Sequence, residues 1–221
     1  MFDKIYQLKQ KGYYPDAILD IGAHHGRWTD ESLKIYKEGV DYLLFEAIPY
    51  TELERHNTHN RKVFNVLLND AEKEVDWYEL RNTGDSMFKE LNKPFENCAP
   101  IKKMSYPLDK IVYTHNLLKD AKHIFIKIDC QGAEIPILKG APSVLGRTDF
   151  IILEIPFFGQ YNTGVPTFLE HIQYMDSIGF IPYDILDEHN FYGFKLQVDI
   201  LFINKRHEFN RLVKEALTKG Y

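Results

Sequence analysis

Four carboxylates in this chain follow strand-like apolar runs: Asp20 after Ala17-Ile18-Leu19, Glu46 after Tyr42 to Phe45, Asp129 after Ile124 to Ile128, and Glu154 after Phe150 to Leu153. Runs of this length read as buried parallel strands. Their carboxyl ends share one rim in an open α/β sheet, and ligands bind there. The first acid is followed by Gly22-Ala23-His24-His25-Gly26. Glycine has no Cβ, so such a turn lets backbone come close to a ligand, and the free N–H groups of the next helix face the turn. Glu46 stands 20 residues past Gly26, where nucleotide-binding α/β folds place an acid on ribose hydroxyls.

A rim of four acids without a basic cluster suits a ligand carrying hydroxyls and an amine, and it repels a diphosphate. The loop is G-x-x-x-G rather than G-x-G-x-x-G, which disfavours NAD. S-adenosylmethionine, a sulfonium with an amino group and a ribose diol, fits better. Structural roles stay open for each acid: Asp20 capping the turn, Glu46 partnering a helix N-terminus, Asp129 and Glu154 as hydrogen-bonders. Asp129 is the first candidate for a general base, with Glu154 and His24 in reserve, since imidazole titrates near neutrality. His24 and His25 with Asp129 and Glu154 also raise a metal reading. Adjacent histidines project differently, however, and the expectation is a metal-free site.

The elements that must position these residues alternate. A short amphipathic helix over 2–11 precedes a strand over 17–22 and a helix over 27–38 closed by Gly39. A second strand over 42–46 is followed by a helix from Pro49 to about Asn57, a third strand over 63–68, and an alternating edge strand over 74–80. Residues 82–106, with Gly84, Pro94 and Pro100, form the longest irregular stretch, and with Pro107 they make a candidate lid or acceptor loop. Strands at 124–129 and 150–154, a helix from Pro166 to Gly179, strands at 180–186 and 198–203, and a helix near 208–218 complete the reading. The expectation is one doubly wound, mostly parallel α/β domain over residues 1–221.

Composition narrows the function. The chain has 221 residues, 44% of them apolar, and a net charge of −5 with no basic run. That argues against a free-standing nucleic-acid binder and against a polybasic membrane anchor. No apolar run approaches the roughly 20 residues of a membrane span, and residues 1–12 carry no signal-peptide core. Two cysteines, Cys98 and Cys130, point to a reducing, cytoplasmic compartment rather than a disulfide framework.

Several stretches taken together resemble the FkbM family of S-adenosylmethionine-dependent methyltransferases, from about Gly12 to Ile203. They are GYYPDAILDIGAHHGRWT, LLFEAIP, FNVLLNDAEKEVDWYEL, NTGDSMF, PLDKI, IKIDCQGAEIPILKGA, IILEI and QVDILFIN. The resemblance implies a Rossmann-like class I methyltransferase fold with seven strands, the last antiparallel, and O-methylation, often of sugar hydroxyls. It implies that Asp20, Gly22, Ala23, His24 and Gly26 line the methionine end and that Glu46 takes the ribose. Asn65 or Leu68 would border the adenine, Ser86 the cofactor's edge, and Asp129, Gln131 and Glu134 the reacting methyl. His24 stands where many members carry Asn, Gln131 where many carry Glu, and Asp85 where a small residue is usual.

Phe157, Phe158 and Tyr161 follow Glu154 where an acceptor would enter, and aromatic faces stack on sugar rings. The expected activity is O-methylation of a carbohydrate or small-molecule hydroxyl, with a neighbouring glycosyltransferase domain as a candidate partner. The competing readings are an NAD-type oxidoreductase on a similar sheet and a non-catalytic cofactor-binding or interaction domain.

Overall fold

A computed structural model describes residues 1–160 and 162–219. In chain order the elements are α1 (Phe2–Gln10), β1 (Ala17–Ile21), α2 (Arg27–Ile35), β2 (Asp41–Glu46), a 3₁₀ turn (Thr51–His56), β3 (Arg61–Asn65), β4 (Leu67–Leu68), β5 (Lys73–Trp77) and β6 (Ile101–Tyr106). These are followed by α3 (Leu108–Thr114), β7 (Ile124–Ile128), α4 (Glu134–Lys139), α5 (Pro142–Leu145), β8 (Thr148–Pro156), α6 (Phe168–Ser177), β9 (Phe180–Phe191), β10 (Phe194–Asn204) and α7 (Glu208–Lys219).

The main sheet has seven strands in the order β3-β2-β1-β7-β8-β10-β9. The strands from β3 to β8 pair in parallel, and β10 runs antiparallel between β8 and β9. Central β1 and β7 are buried at every residue, as strands covered on both faces must be. Their alternate residues feed two cores. Leu19, Ile21, Ile126 and Ile128 join the core that includes Leu108, Ile137 and Met175 from α3, α4 and α6. Ile18 and Phe125 join the core with Ile5, Ile35 and Phe209 from α1, α2 and α7. Helix α6 opens on a capping box, Thr167 with Glu170, which satisfies orphan amides at its start.

Four expectations change. The strand expected over 63–68 splits: the Val66 amide makes the last bond to β2, at the Glu46 carbonyl (2.9 Å), and Leu67–Leu68 pair with Ser105–Tyr106 instead. The edge strand expected over 74–80 does not join the main sheet; β5 and β4 flank β6 in a separate three-stranded sheet. The stretch 82–106 is therefore not irregular throughout, since β6 occupies its end and a 3₁₀ turn spans Lys93–Phe95. The segment after Pro49 makes a 3₁₀ turn rather than an α-helix. The small sheet packs on the end of β2 through Ile48, Leu67 and Trp77. Among the described residues, no helix is long and apolar enough to cross a membrane.

Candidate active site

The turns that follow β1 and β7 meet at the sheet's rim. A Cβ on Gly22 would lie 2.0 Å from the Asp129 carbonyl oxygen, and its φ is +74°, so glycine is required there on two counts. In each of these turns one non-glycine residue also takes the left-handed region, His24 with φ 47° and Gln131 with φ 50°. Such backbone is costly and gathers at functional sites.

Beside these turns a cleft of ≈ 450 Å³ opens between the rim and the small sheet. Of the residues singled out in the sequence, Gly22, Ala23, His24 and Glu46 line it from β1 and β2. Leu68 lines it from the small sheet, and Asp129, Gln131 and Glu154 from β7 and β8. Glu46 accepts from the His24 amide (2.7 Å) on one oxygen and from the Ile48 amide (2.9 Å) on the other. Burial raises its carboxyl, opposed by those two amides. Each oxygen keeps a second lone pair for a further donor. The His24 ring packs edge-on against His25 (4.0 Å) and Tyr50 (4.9 Å). Burial and the neighbouring His25 and Arg27 lower its pKa.

At the cleft floor Asp129 keeps 41% of its side chain exposed. Lys127 lies 3.5 Å from it and Gln131 donates to it at 3.3 Å. Burial pushes the Asp129 carboxyl up. The Lys127 charge and a hydrogen bond from Glu154 overcome that and hold it below its usual range. Glu154 moves the other way, pushed well up by burial and by Asp129 and Asp199. Gln131 donates to Glu154 at 2.6 Å and Gln197 at 3.2 Å. The two carboxyls are pushed in opposite directions, since adjacent carboxyls do not both ionise cheaply.

Other expected residues sit elsewhere. Asp20 does not line the cleft. Side chains alternate along a strand, so Asp20 points toward α2, fully buried, accepting from Thr29 (2.6 Å) with Lys127 at 3.4 Å. Gly26 caps α2, where a Cβ would meet the His56 ring at 2.7 Å. Asn65 donates to the Glu46 carbonyl (2.9 Å) rather than facing the cleft. Ser86 is buried and donates to the Gln131 carbonyl (2.9 Å), fastening the 82–90 segment to the β7–α4 turn. Glu134 is fully buried and accepts from the amides of Cys130 (3.0 Å) and Gly132 (3.3 Å), so it shapes that turn from inside. Phe157 packs on Phe168 and Phe158 stacks on Phe194 outside the cleft. Tyr161 lies outside the described residues.

Several cleft residues are not singled out in the sequence, and three of them bear on the chemistry: Lys127, Gln197 and His189. Lys127, buried between Asp20 and Asp129, also donates to the Gly22 carbonyl (3.0 Å). A lone cation in Ile124 to Ile128 was its signal. Gln197 and His189 come from the last hairpin, and no spacing in the sequence ties them to the rim.

The strand order, the glycine turn after β1 and the acid ending β2 define the Rossmann-like class I methyltransferase fold. A family model described as "Methyltransferase FkbM domain" matches residues 20–182, and the chain belongs to that family. It is an S-adenosylmethionine-dependent methyltransferase, which sets aside the oxidoreductase reading. Similar solved structures include a 1,6-didemethyltoxoflavin-N1-methyltransferase from Burkholderia thailandensis with bound 1,6-didemethyltoxoflavin and S-adenosylhomocysteine. It shares 9% identity at TM-score 0.49, over 92% of this chain and 76% of that one. Another is the magnesium protoporphyrin IX methyltransferase of Synechocystis PCC 6803 with bound S-adenosylmethionine, at 8% identity and TM-score 0.48 over 92% and 77%. No curated protein matches the chain in sequence.

The residues present fit this cofactor. Glu46 would accept from a diol, the Gly22 turn would let an amino-acid end approach the backbone closely, and the carboxylates would suit a sulfonium.

Proposed function

We propose that the chain transfers a methyl group to a hydroxyl oxygen of a carbohydrate. The observation that carries this is Asp129: a carboxylate open to the cleft, fixed by Lys127 and Gln131, beside the turn that would hold the cofactor. When bound, S-adenosylmethionine supplies an electrophilic methyl on a positively charged sulfur. The chain's work is to align the acceptor oxygen with that methyl, and orientation can supply roughly 7–11 kcal/mol of the barrier. A hydroxyl oxygen that takes that methyl would become strongly acidic as it gains its third bond. A carboxylate stabilised by a neighbouring lysine is then base enough, and the proton goes to Asp129. Lys127 balances the negative charge of Asp129 before transfer, while Gln131 holds the Asp129–Glu154 pair in register.

Carbohydrate is favoured because the acceptor side of the cleft is lined by hydrogen-bonding groups, Gln131, Glu154, His189 and Gln197. Exposed Phe157 and Phe158 flank the same sheet end. Incubation with methyl-labelled cofactor and a panel of nucleotide sugars and oligosaccharides, read by mass spectrometry, tests this. An O-methyl sugar is expected. Transfer only to nitrogen or carbon acceptors in a parallel panel overturns the reading.

A further inference from the structure

Glu154, Asp199 and His189 come from three adjacent strands, β8, β10 and β9. Asp199 is the direct cross-strand partner of Glu154, and His189 pairs with Gln197, two residues before Asp199. One ligating atom from each lies within 4.8 Å of the other two. Nε2 of His189 sits 3.6 Å from Oε1 of Glu154 and 3.7 Å from Oδ2 of Asp199. Both distances exceed a hydrogen bond. They suit ligands of one small cation, whose bonds of about 2.0–2.2 Å place neighbouring donor atoms roughly 3.0–3.6 Å apart.

Two directly opposed acids on an antiparallel pair repel each other, here with side chains only 8% and 10% exposed. The hydrogen bonds of Glu154 also leave one position open. Gln131 and Gln197 both donate to Oε2, so Oε1 is left facing His189. The Asp199 carboxylate is nine-tenths buried and accepts no hydrogen bond among the described residues. It is aimed at the same point. His189 is half exposed and lines the cleft, so the remaining side of that point opens toward the acceptor.

We propose that Glu154, His189 and Asp199 hold a divalent first-row cation, of the Mn²⁺ or Zn²⁺ type, at the acceptor end of the cleft. One imidazole and two carboxylates match the preferences of such ions, and Gln131 and Gln197 orient the Glu154 ligand from outside. The metal-free expectation from the sequence concerned His24 and His25, which pack edge-on; the geometry points to a histidine on β9, at the far edge of the sheet. The ion's use rests on the hydroxyl-acceptor reading: it would polarise the acceptor oxygen and make its proton easier for Asp129 to take. The site itself does not depend on that reading.

The test reads binding, not turnover. Chelator-treated protein is titrated with Mn²⁺ and followed by the paramagnetic resonance of the free ion, then with Zn²⁺ by calorimetry. One saturable site is expected. Asp199→Asn and His189→Gln should each weaken it 10-fold or more, while both variants still unfold cooperatively and bind S-adenosylhomocysteine like the parent. No saturable binding of either ion up to about 1 mM, which corresponds to roughly −4 kcal/mol, overturns the proposal. So does an affinity untouched by both variants. If the ion binds as expected and no hydroxyl acceptor is methylated, the site stands and the acceptor reading fails.

Discussion

Asp129 and Glu46 line one cleft, and separate measurements should tell their work apart. Glu46→Ala removes the acid that would hold the ribose. It is expected to weaken S-adenosylhomocysteine binding by about 1.5–3 kcal/mol, as for hydrogen bonds to a charged group, with turnover at saturating cofactor far less affected. Calorimetry and saturation kinetics check the split. Asp129→Asn keeps shape but removes basicity. Turnover should fall about 10²–10⁴-fold, with cofactor affinity changed by less than about 1 kcal/mol; near-parental turnover would move the base to Glu154 or His24. Glu134 makes a pH prediction. Burial raises its carboxyl from 4.5 to about 7. An acid that holds its proton more tightly when folded stabilises the fold fully below its unfolded value, and that contribution is lost as pH rises through about 7. Between pH 5 and 8 the parent should therefore lose roughly 3 kcal/mol that Glu134→Gln does not lose, checked by urea titration across pH. Buried His171, 4.0 Å from Glu134, has its pKa pushed down by burial; its contribution is lost as pH falls, so the parent–variant difference isolates the acid. The rim acids were legible because each ends an apolar run. Asp20 shares the rim position, but the two-residue alternation of β1 turns its side chain to Thr29 on α2, which the position of a run's end does not reveal.

Strands β1 and β7 run in register so that Asp20 lies directly opposite Lys127, and one residue pair ties the two inner strands where burial is nearly complete. Lys127→Met leaves Asp20 buried without its cation. Breaking a buried pair from one side costs about 3–5 kcal/mol, and urea unfolding should show that loss with the m-value unchanged. The parallel core was legible at this scale because its strands are continuous apolar runs. The small sheet was not. Leu67 and Leu68 read as the end of β3, but pairing with β2 stops at Val66 and they join β6 instead. Strand β6, Ile101–Tyr106, carries two lysines and is largely exposed, so its pattern gave no strand signal. Asp85, where the family carries a small residue, accepts from the amides of Leu80 (2.7 Å) and Asn82 (3.0 Å) and fixes the loop that forms the cleft's outer wall. The departure from the family pattern is a local turn device.

Cofactor binding should be visible in the stability of the whole molecule. A ligand that binds only the folded state at 100 times its dissociation constant adds about 2.7 kcal/mol. For a chain of this length that raises the unfolding midpoint by roughly 5–11 °C, measurable by scanning calorimetry with S-adenosylhomocysteine. The hairpin of β9 and β10 bears on a different property, the order in which the protein is made. Until β10 docks, β8 has a bare edge from Phe150 to Pro156, and a hydrophobic, unpaired edge is a template for aggregation. Residues 194–204, which cover it, leave the ribosome about 40 residues after β8 is complete. At ~5–20 residues per second, each nascent chain carries that open edge for seconds. His189, Gln197 and Asp199 arrive with the same hairpin, so the acceptor side of the cleft is completed only when that hairpin docks.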